Sequence, residues 1–224
     1  MSGVAYAILW LACRTVARLC FRYRVEGADR LPQGGVLIAA NHASYLDIPL
    51  VGCGLRRRAW YLGRQDLFGP RWIKAICRWL GWIPIRLGRV DREGFRKAVE
   101  LIDAGKVVVI YPEGTRTLDG RLQPGKPGLG MIVEATKAPV VPAYIDGAFE
   151  ALPTGVKWIR RHPIRVTFGA PIDFSKELER GRGKMFYQVV SRTVMERIAE
   201  LGHVPRPVGS SNGEAVEPFN AERG

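Results

Sequence analysis

His42 and Asp47 stand five residues apart in the stretch Asn41-His42-Ala43-Ser44-Tyr45-Leu46-Asp47, which follows the apolar run Val36 to Ala40. An imidazole whose Nδ1–H is held by a carboxylate keeps Nε2 free to take a proton from a hydroxyl near neutral pH. On one continuous helix the two side chains would lie about 140° apart and would not meet. With His42 in a loop and Asp47 in the first turn of a helix, the carboxylate can reach back to the ring. Ser44 to Asp47 equally fits a Ser-x-x-acid pattern in which Asp47 only caps a helix. A second polar cluster, Tyr111-Pro112-Glu113-Gly114-Thr115-Arg116, follows the apolar run Val107 to Ile110. Gly114 lets backbone N–H groups approach an oxyanion, and Arg116 carries a fork of donors suited to phosphate. A local ion pair between Glu113 and Arg116 is the alternative. Both clusters sit where a buried strand releases the chain, the usual place for ligands in α/β sheets.

Other chemistries lack their residues. The sequence holds no Gly-x-Ser-x-Gly elbow, no Walker A pattern and no His-Glu-x-x-His, so a serine hydrolase, a P-loop NTPase and a zincin lose support. Cys13, Cys20, Cys53 and Cys77 form no Cys-x-x-Cys or Cys/His cluster. No metal site is expected, and reduced thiols in a cytosolic compartment are the expected state.

The elements that must position these loops are short apolar runs alternating with helical patterns, the signature of an α/β domain. The expected strands are Tyr23 to Glu26, Val36 to Ala40, Ala59 to Leu62, Ile83 to Arg86, Val107 to Tyr111, Val140 to Tyr144 and Ile164 to Phe168. The expected helices are Ile48 to Cys53, Arg71 to Leu80, Glu93 to Ala104, Gly128 to Lys137 and Lys184 to Leu201. Together they predict a central mixed sheet flanked by helices. We divide the 224 residues into an N-terminal helix (1–24), one domain (25–208) and a disordered tail (209–224) rich in Gly, Ser and Asn.

The chain carries 34 Lys and Arg against 21 Asp and Glu, a formal charge of +13. Its partner is therefore expected to be anionic: nucleic acid, an acidic membrane or a phosphorylated molecule. The excess is uneven, with 17 basic and 7 acidic residues in 1–100 against 17 and 14 in 101–224. Near the N-terminus an apolar run from Gly3 to Cys13 contains Trp10 and meets Arg14, Arg18 and Arg22 at helical spacing. This reads as an amphipathic helix, too short and too charged to span a bilayer, and with its cations on the wrong side for an export signal. In a second segment, Arg71 to Ile85, Trp72 and Trp79 alternate with Lys74 and Arg78, the composition favoured at lipid headgroups. A phospholipid surface met from the cytoplasmic side, peripherally or monotopically, is the expectation, and nucleic acid is not.

The two polar clusters taken together resemble the glycerophospholipid acyltransferase family of the 1-acyl-sn-glycerol-3-phosphate acyltransferase type. That family's first motif is Asn-His-x4-Asp, and its third is hydrophobic-aromatic-Pro-Glu-Gly-Thr-Arg. The resemblance covers roughly residues 25 to 175 and continues through Leu122 to Gly128 and Val140 to Ala143. It implies acyl transfer from acyl-CoA or acyl carrier protein to a lysophospholipid hydroxyl, with no metal, no other cofactor and no acyl-enzyme. It further implies that His42 is the general base and Asp47 its orienting partner, and that Glu113, Gly114, Thr115 and Arg116 hold the acceptor phosphate. The second motif departs from the pattern: in Gly81 to Arg89 the usual phosphate-binding Arg after Arg86 is Leu87, so Arg86 or Arg89 is expected to substitute. The competing class is a non-catalytic basic module that binds lipid or nucleic acid.

Overall fold

The run from Val36 to Ala40 has no polar face, and β2 (Val36–Ala40) is buried at all five residues, as a central parallel strand covered on both sides requires. The computed structural model describes residues 3–65, 71–86 and 91–207. The other strands are β1 (Arg24–Glu26), β3 (Ala59–Arg64), β4 (Trp82–Ile85), β5 (Val107–Ile110), β6 (Val140–Asp146) and β7 (Arg165–Phe168). They form one seven-stranded sheet in the order β1-β7-β6-β2-β5-β3-β4. Every neighbouring pair is parallel except β6 and β7, which are antiparallel. The sheet is therefore mixed, as expected.

The helices are α1 (Gly3–Phe21), α2 (Asp47–Gly54), α3 (Arg71–Trp79), α4 (Arg92–Asp103), α5 (Gly128–Thr136), α6 (Ala148–Ala151), α7 (Ser175–Arg180) and α8 (Lys184–Gly202). The alternation of side chains along a strand assigns them to two layers. Val36, Ile38 and Ala40 pack with Ala17 and Phe21 of α1 and Leu50 and Val51 of α2. Leu37 and Ala39 face Ala98 and Ile102 of α4, Ile132 and Val133 of α5, and Val190 and Val194 of α8. All seven expected strands and all five expected helices are present, with ends shifted by one or two residues. The sequence reading missed α6, α7 and a 3₁₀ turn at Ala28–Arg30, each too short to display a period.

The N-terminal helix corrects the reading in two respects. It runs through its arginines to Phe21, 19 residues in all, and by length and composition it could cross a bilayer. Its faces are also assigned differently. Trp10 Nε1 donates to the carbonyl of Leu55 at 2.8 Å, and Arg14 Nη1 donates to that of Cys53 at 2.7 Å, with the Arg14 guanidinium over the Trp10 ring. These two expected membrane contacts face the protein and cap the free carbonyl end of α2, where a cation is favoured. The outward face instead carries Val4, Ile8, Leu11, Val16 and Leu19. Arg18 and Arg22 are exposed. In α3, Arg78 is exposed, Trp79 is nearly half exposed and Lys74 is half-buried, while the side chain of Trp72 lies outside the described residues. The expected tail, 209–224, also lies outside them.

Candidate active site

Because β2 and β5 are parallel neighbours, with Ala39 opposite Ile110, the loops that leave them emerge side by side. Asn41 anchors the first loop: its buried amide exchanges two hydrogen bonds with the main chain of Ile145 on β6, at 2.7 and 3.1 Å. The two loops are then tied to each other. The His42 N–H donates to Glu113 Oε1 at 2.7 Å, and the Thr117 N–H donates to the His42 carbonyl at 2.9 Å.

Asp47 opens α2 and is fully buried. Its Oδ2 lies 2.9 Å from His42 Nδ1 and also accepts the N–H groups of Ala43, at 2.7 Å, and Ser44, at 2.8 Å. The carboxylate thus both folds the loop and holds the ring, so it is more than a helix cap. Since a carboxylate oxygen only accepts, Nδ1 carries the proton and Nε2 is the basic nitrogen. The ring plane is fixed by Tyr111, stacked at 4.2 Å between centroids and 20° from parallel. Burial, and next the negative charge of Asp47, hold the Tyr111 hydroxyl well above the usual phenol range, so Tyr111 serves as a neutral plate.

His42 lines a cavity of about 580 Å³. Gly114, Thr115, Arg116 and Arg86 line it as well, whereas Arg89 and Leu87 lie outside the described residues. The Arg116 guanidinium lies 3.5 Å from the centroid of Tyr45, and no carboxylate pairs with it among the described residues. The alternative of a Glu113–Arg116 ion pair is therefore not realised. The rest of the wall is largely apolar, including Leu62, Trp82, Ile85, Phe95, Leu129 and Ile132. Arrangements of this kind, apolar walls with a few convergent polar groups, suit a ligand that is itself half apolar.

Three residues of the site had no role in the sequence reading. Tyr45 lies in the spacer between His42 and Asp47, and Tyr111 precedes the Pro-Glu-Gly-Thr-Arg run. Lys126 is the third. Gly114 has φ +71°, a left-handed conformation that favours glycine, and the Lys126 side chain lies against it, so a second cation lines the cavity with Arg116. Among the described residues no group of three His, Cys, Asp or Glu is placed to hold a metal ion.

Glu113 corrects the expectation. It is buried and absent from the cavity wall; Oε1 accepts from His42, and Oε2 accepts from the Gln123 N–H at 2.9 Å. Both oxygens are taken up by main-chain N–H groups, so Glu113 braces the loop that carries His42. Burial, opposed by those two hydrogen bonds, pushes its carboxyl up to about 7 from 4.5. Between these values the folded protein holds a proton that the unfolded chain has released. The contribution of Glu113 to stability therefore falls as pH rises from about 4.5 and is lost above about 7. The shift corresponds to about 3 kcal/mol. Urea titrations across this pH range should show that decline in the native protein and a flatter profile in Glu113→Gln; parallel profiles would contradict it.

The sequence profile of the family described as Acyltransferase matches residues 22–146. A chloroplastic 1-acyl-sn-glycerol-3-phosphate acyltransferase of Brassica napus is 31% identical over 164 residues, which is 70% of this chain and 46% of the plant protein. The 1-acyl-sn-glycerol-3-phosphate acyltransferase of Bacillus subtilis strain 168 is 26% identical over 163 residues, covering 72% and 79%. The chain thus spans about half the length of the plant relative. Among solved structures, the 1-acyl-sn-glycerophosphate (LPA) acyltransferase PlsC from Thermotoga maritima superposes with a TM-score of 0.64 at 25% identity, covering 88% of this chain and 83% of that one.

Proposed function

The chain belongs to the Acyltransferase family, and from that membership we propose that it transfers a fatty acyl group from an acyl-CoA or acyl carrier protein thioester to the free hydroxyl of a lysophospholipid. The acceptor we favour is 1-acyl-sn-glycerol-3-phosphate, giving phosphatidic acid. The observation that carries this reading is the 2.9 Å contact between His42 Nδ1 and Asp47 Oδ2, in the wall of a cavity that also holds Arg116 and Lys126.

In the mechanism, His42 Nε2 removes the acceptor's hydroxyl proton as its oxygen attacks the thioester carbonyl. The tetrahedral intermediate collapses, the C–S bond breaks, and the departing thiolate recovers the proton from His42. Asp47 stabilises the imidazolium formed in between. No acyl-enzyme, metal or further cofactor takes part. Arg116 and Lys126, with Arg86 nearby, neutralise the acceptor phosphate, and the apolar wall accommodates acyl chain.

The enzyme works at a bilayer, since both the acceptor and the product are lipids. We place it peripherally or monotopically on the cytoplasmic face. The apolar outward stripe of α1, the exposed Arg78 and Trp79 of α3 and the free cysteines support that placement.

Purified protein in detergent or lipid micelles should release thiol from acyl-CoA or acyl carrier protein when 1-acyl-sn-glycerol-3-phosphate is present. No transfer to any lysophospholipid from either donor would overturn the proposal. Arg116→Ala should raise the acceptor KM by roughly tenfold to a hundredfold, the value of one charged hydrogen bond, with a smaller change for the donor. Unchanged acceptor saturation would remove Arg116 from the phosphate site.

A further inference from the structure

We propose that the excursion between α6 and β7 is a second bilayer contact, a preformed wedge bonded to the loops of the candidate site that inserts Trp158 and Ile159 among anionic lipid headgroups. This deepens the membrane reading given above and rests on it.

Residues 153–163 read Pro-Thr-Gly-Val-Lys-Trp-Ile-Arg-Arg-His-Pro, with three Lys or Arg and no acidic residue. Trp158 is 82% exposed and Ile159 58%. Two bulky apolar side chains held out in water at adjacent positions lose stabilisation that burial would supply. Lys157, Arg160 and Arg161 around them are exposed, and no carboxylate pairs with any of them among the described residues. An indole flanked by unpaired cations matches the headgroup layer, where the ring meets acyl carbon and the cations meet phosphate. A protein partner would have to supply both an apolar socket and three carboxylates.

The segment is built to stay in place. Arg160 N–H donates to the Ala151 carbonyl at 2.8 Å and closes the base of the excursion, while Val156 N–H donates to the Pro153 carbonyl at 3.2 Å across a turn. Gly155, at φ +87°, supplies the left-handed position of that turn. The excursion is also fixed to the catalytic loops. Ser44 Oγ donates to the Leu152 carbonyl at 2.9 Å, and Thr154 Oγ1 donates to the Thr117 carbonyl at 2.8 Å. The next residue, Leu118, is 81% exposed, so a further apolar side chain stands on the loop to which Thr154 is bonded. The excursion thus stands on the same two loops that carry His42 and Arg116 into the cavity wall.

The test uses the full chain and vesicles of phosphatidylglycerol and phosphatidylcholine. Brominated lipid should quench a share of tryptophan emission that is absent in Trp158→Phe, because the difference between the two proteins isolates this indole. The double variant Trp158→Ala/Ile159→Ala should bind such vesicles about tenfold more weakly or worse. The triple variant Lys157→Ala/Arg160→Ala/Arg161→Ala should lose on the order of a hundredfold on anionic vesicles and little on neutral ones. All of these side chains are exposed, so folding is unaffected and circular dichroism should match. If the native chain binds vesicles but Trp158→Phe shows the same quenching and the other variants bind normally, the wedge is overturned while the membrane reading stands. If the native chain binds no vesicle, both fail. Native dimers that become monomers in Trp158→Ala would assign the patch to a second copy of the chain and overturn the proposal as well.

Discussion

His42→Ala should reduce kcat for acyl transfer by about 10² to 10⁴-fold, the contribution of one positioned general base, while leaving a folded protein. The separation of the two effects follows from which atoms of His42 are structural. Its N–H and carbonyl tie the β2 loop to Glu113 and Thr117, and alanine keeps both. What disappears is the ring, its stacking on Tyr111 and one of the three bonds to Asp47. Thiol release measured beside thermal unfolding should therefore show a large loss in the first and a shift of only a few degrees in the second. Transfer at the native rate would remove His42 from the mechanism.

Asp47→Ala should fail in both respects. The side chain is fully buried, and its Oδ2 satisfies two backbone N–H groups besides the ring. Truncation strands those donors and lets the imidazole turn, at a cost of about 3 kcal/mol or more. For a chain of this size that lowers Tm by about 6 to 12 °C. Asp47→Asn tells charge apart from shape. An amide oxygen can occupy the Oδ2 position, and its NH₂ would take the place of Oδ1, which is buried and has no hydrogen-bond partner among the described residues. The asparagine variant should keep most of the stability but lose about 10²-fold or more in kcat, because a neutral neighbour no longer stabilises the imidazolium. Equal activity in Asp47→Asn and the native chain would show that the carboxylate only folds the loop.

The sheet was legible because its central strands are short, apolar on both faces and bounded by turn residues; Val107 to Ile110 allows little else. His42 and Asp47 were legible as a pair for a geometric reason: a spacing that fails on a helix succeeds across a loop-to-helix junction. Glu113 was not. Its sequence neighbours Gly114 and Thr115 describe a surface turn, and only the approach of the His42 and Gln123 main chains shows where its oxygens go. Trp10 and Arg14 were misassigned for a related cause. Arginine is usually a solvent residue, but here the free carbonyls at the end of α2 attract it, and those carbonyls exist only once the chain has folded. Trp158 carries no periodic signal because it stands in the excursion between α6 and β7, outside any helix.

The pairing of α1 with α2 has a practical side. Workers who prepare such proteins often trim a greasy leading segment to gain solubility. Here that cut would delete the indole and guanidinium donors now resting on the carbonyls of Cys53 and Leu55, and would bare the sheet face that Ala17 and Phe21 cover. The helix left uncapped has only eight residues, and Asp47 stands at its other end. A trimmed preparation that stays in solution but turns over slowly would not report on the need for lipid. It would report on a short rod that has lost its footing at one end and carries Asp47, the hydrogen-bond partner of His42, at the other.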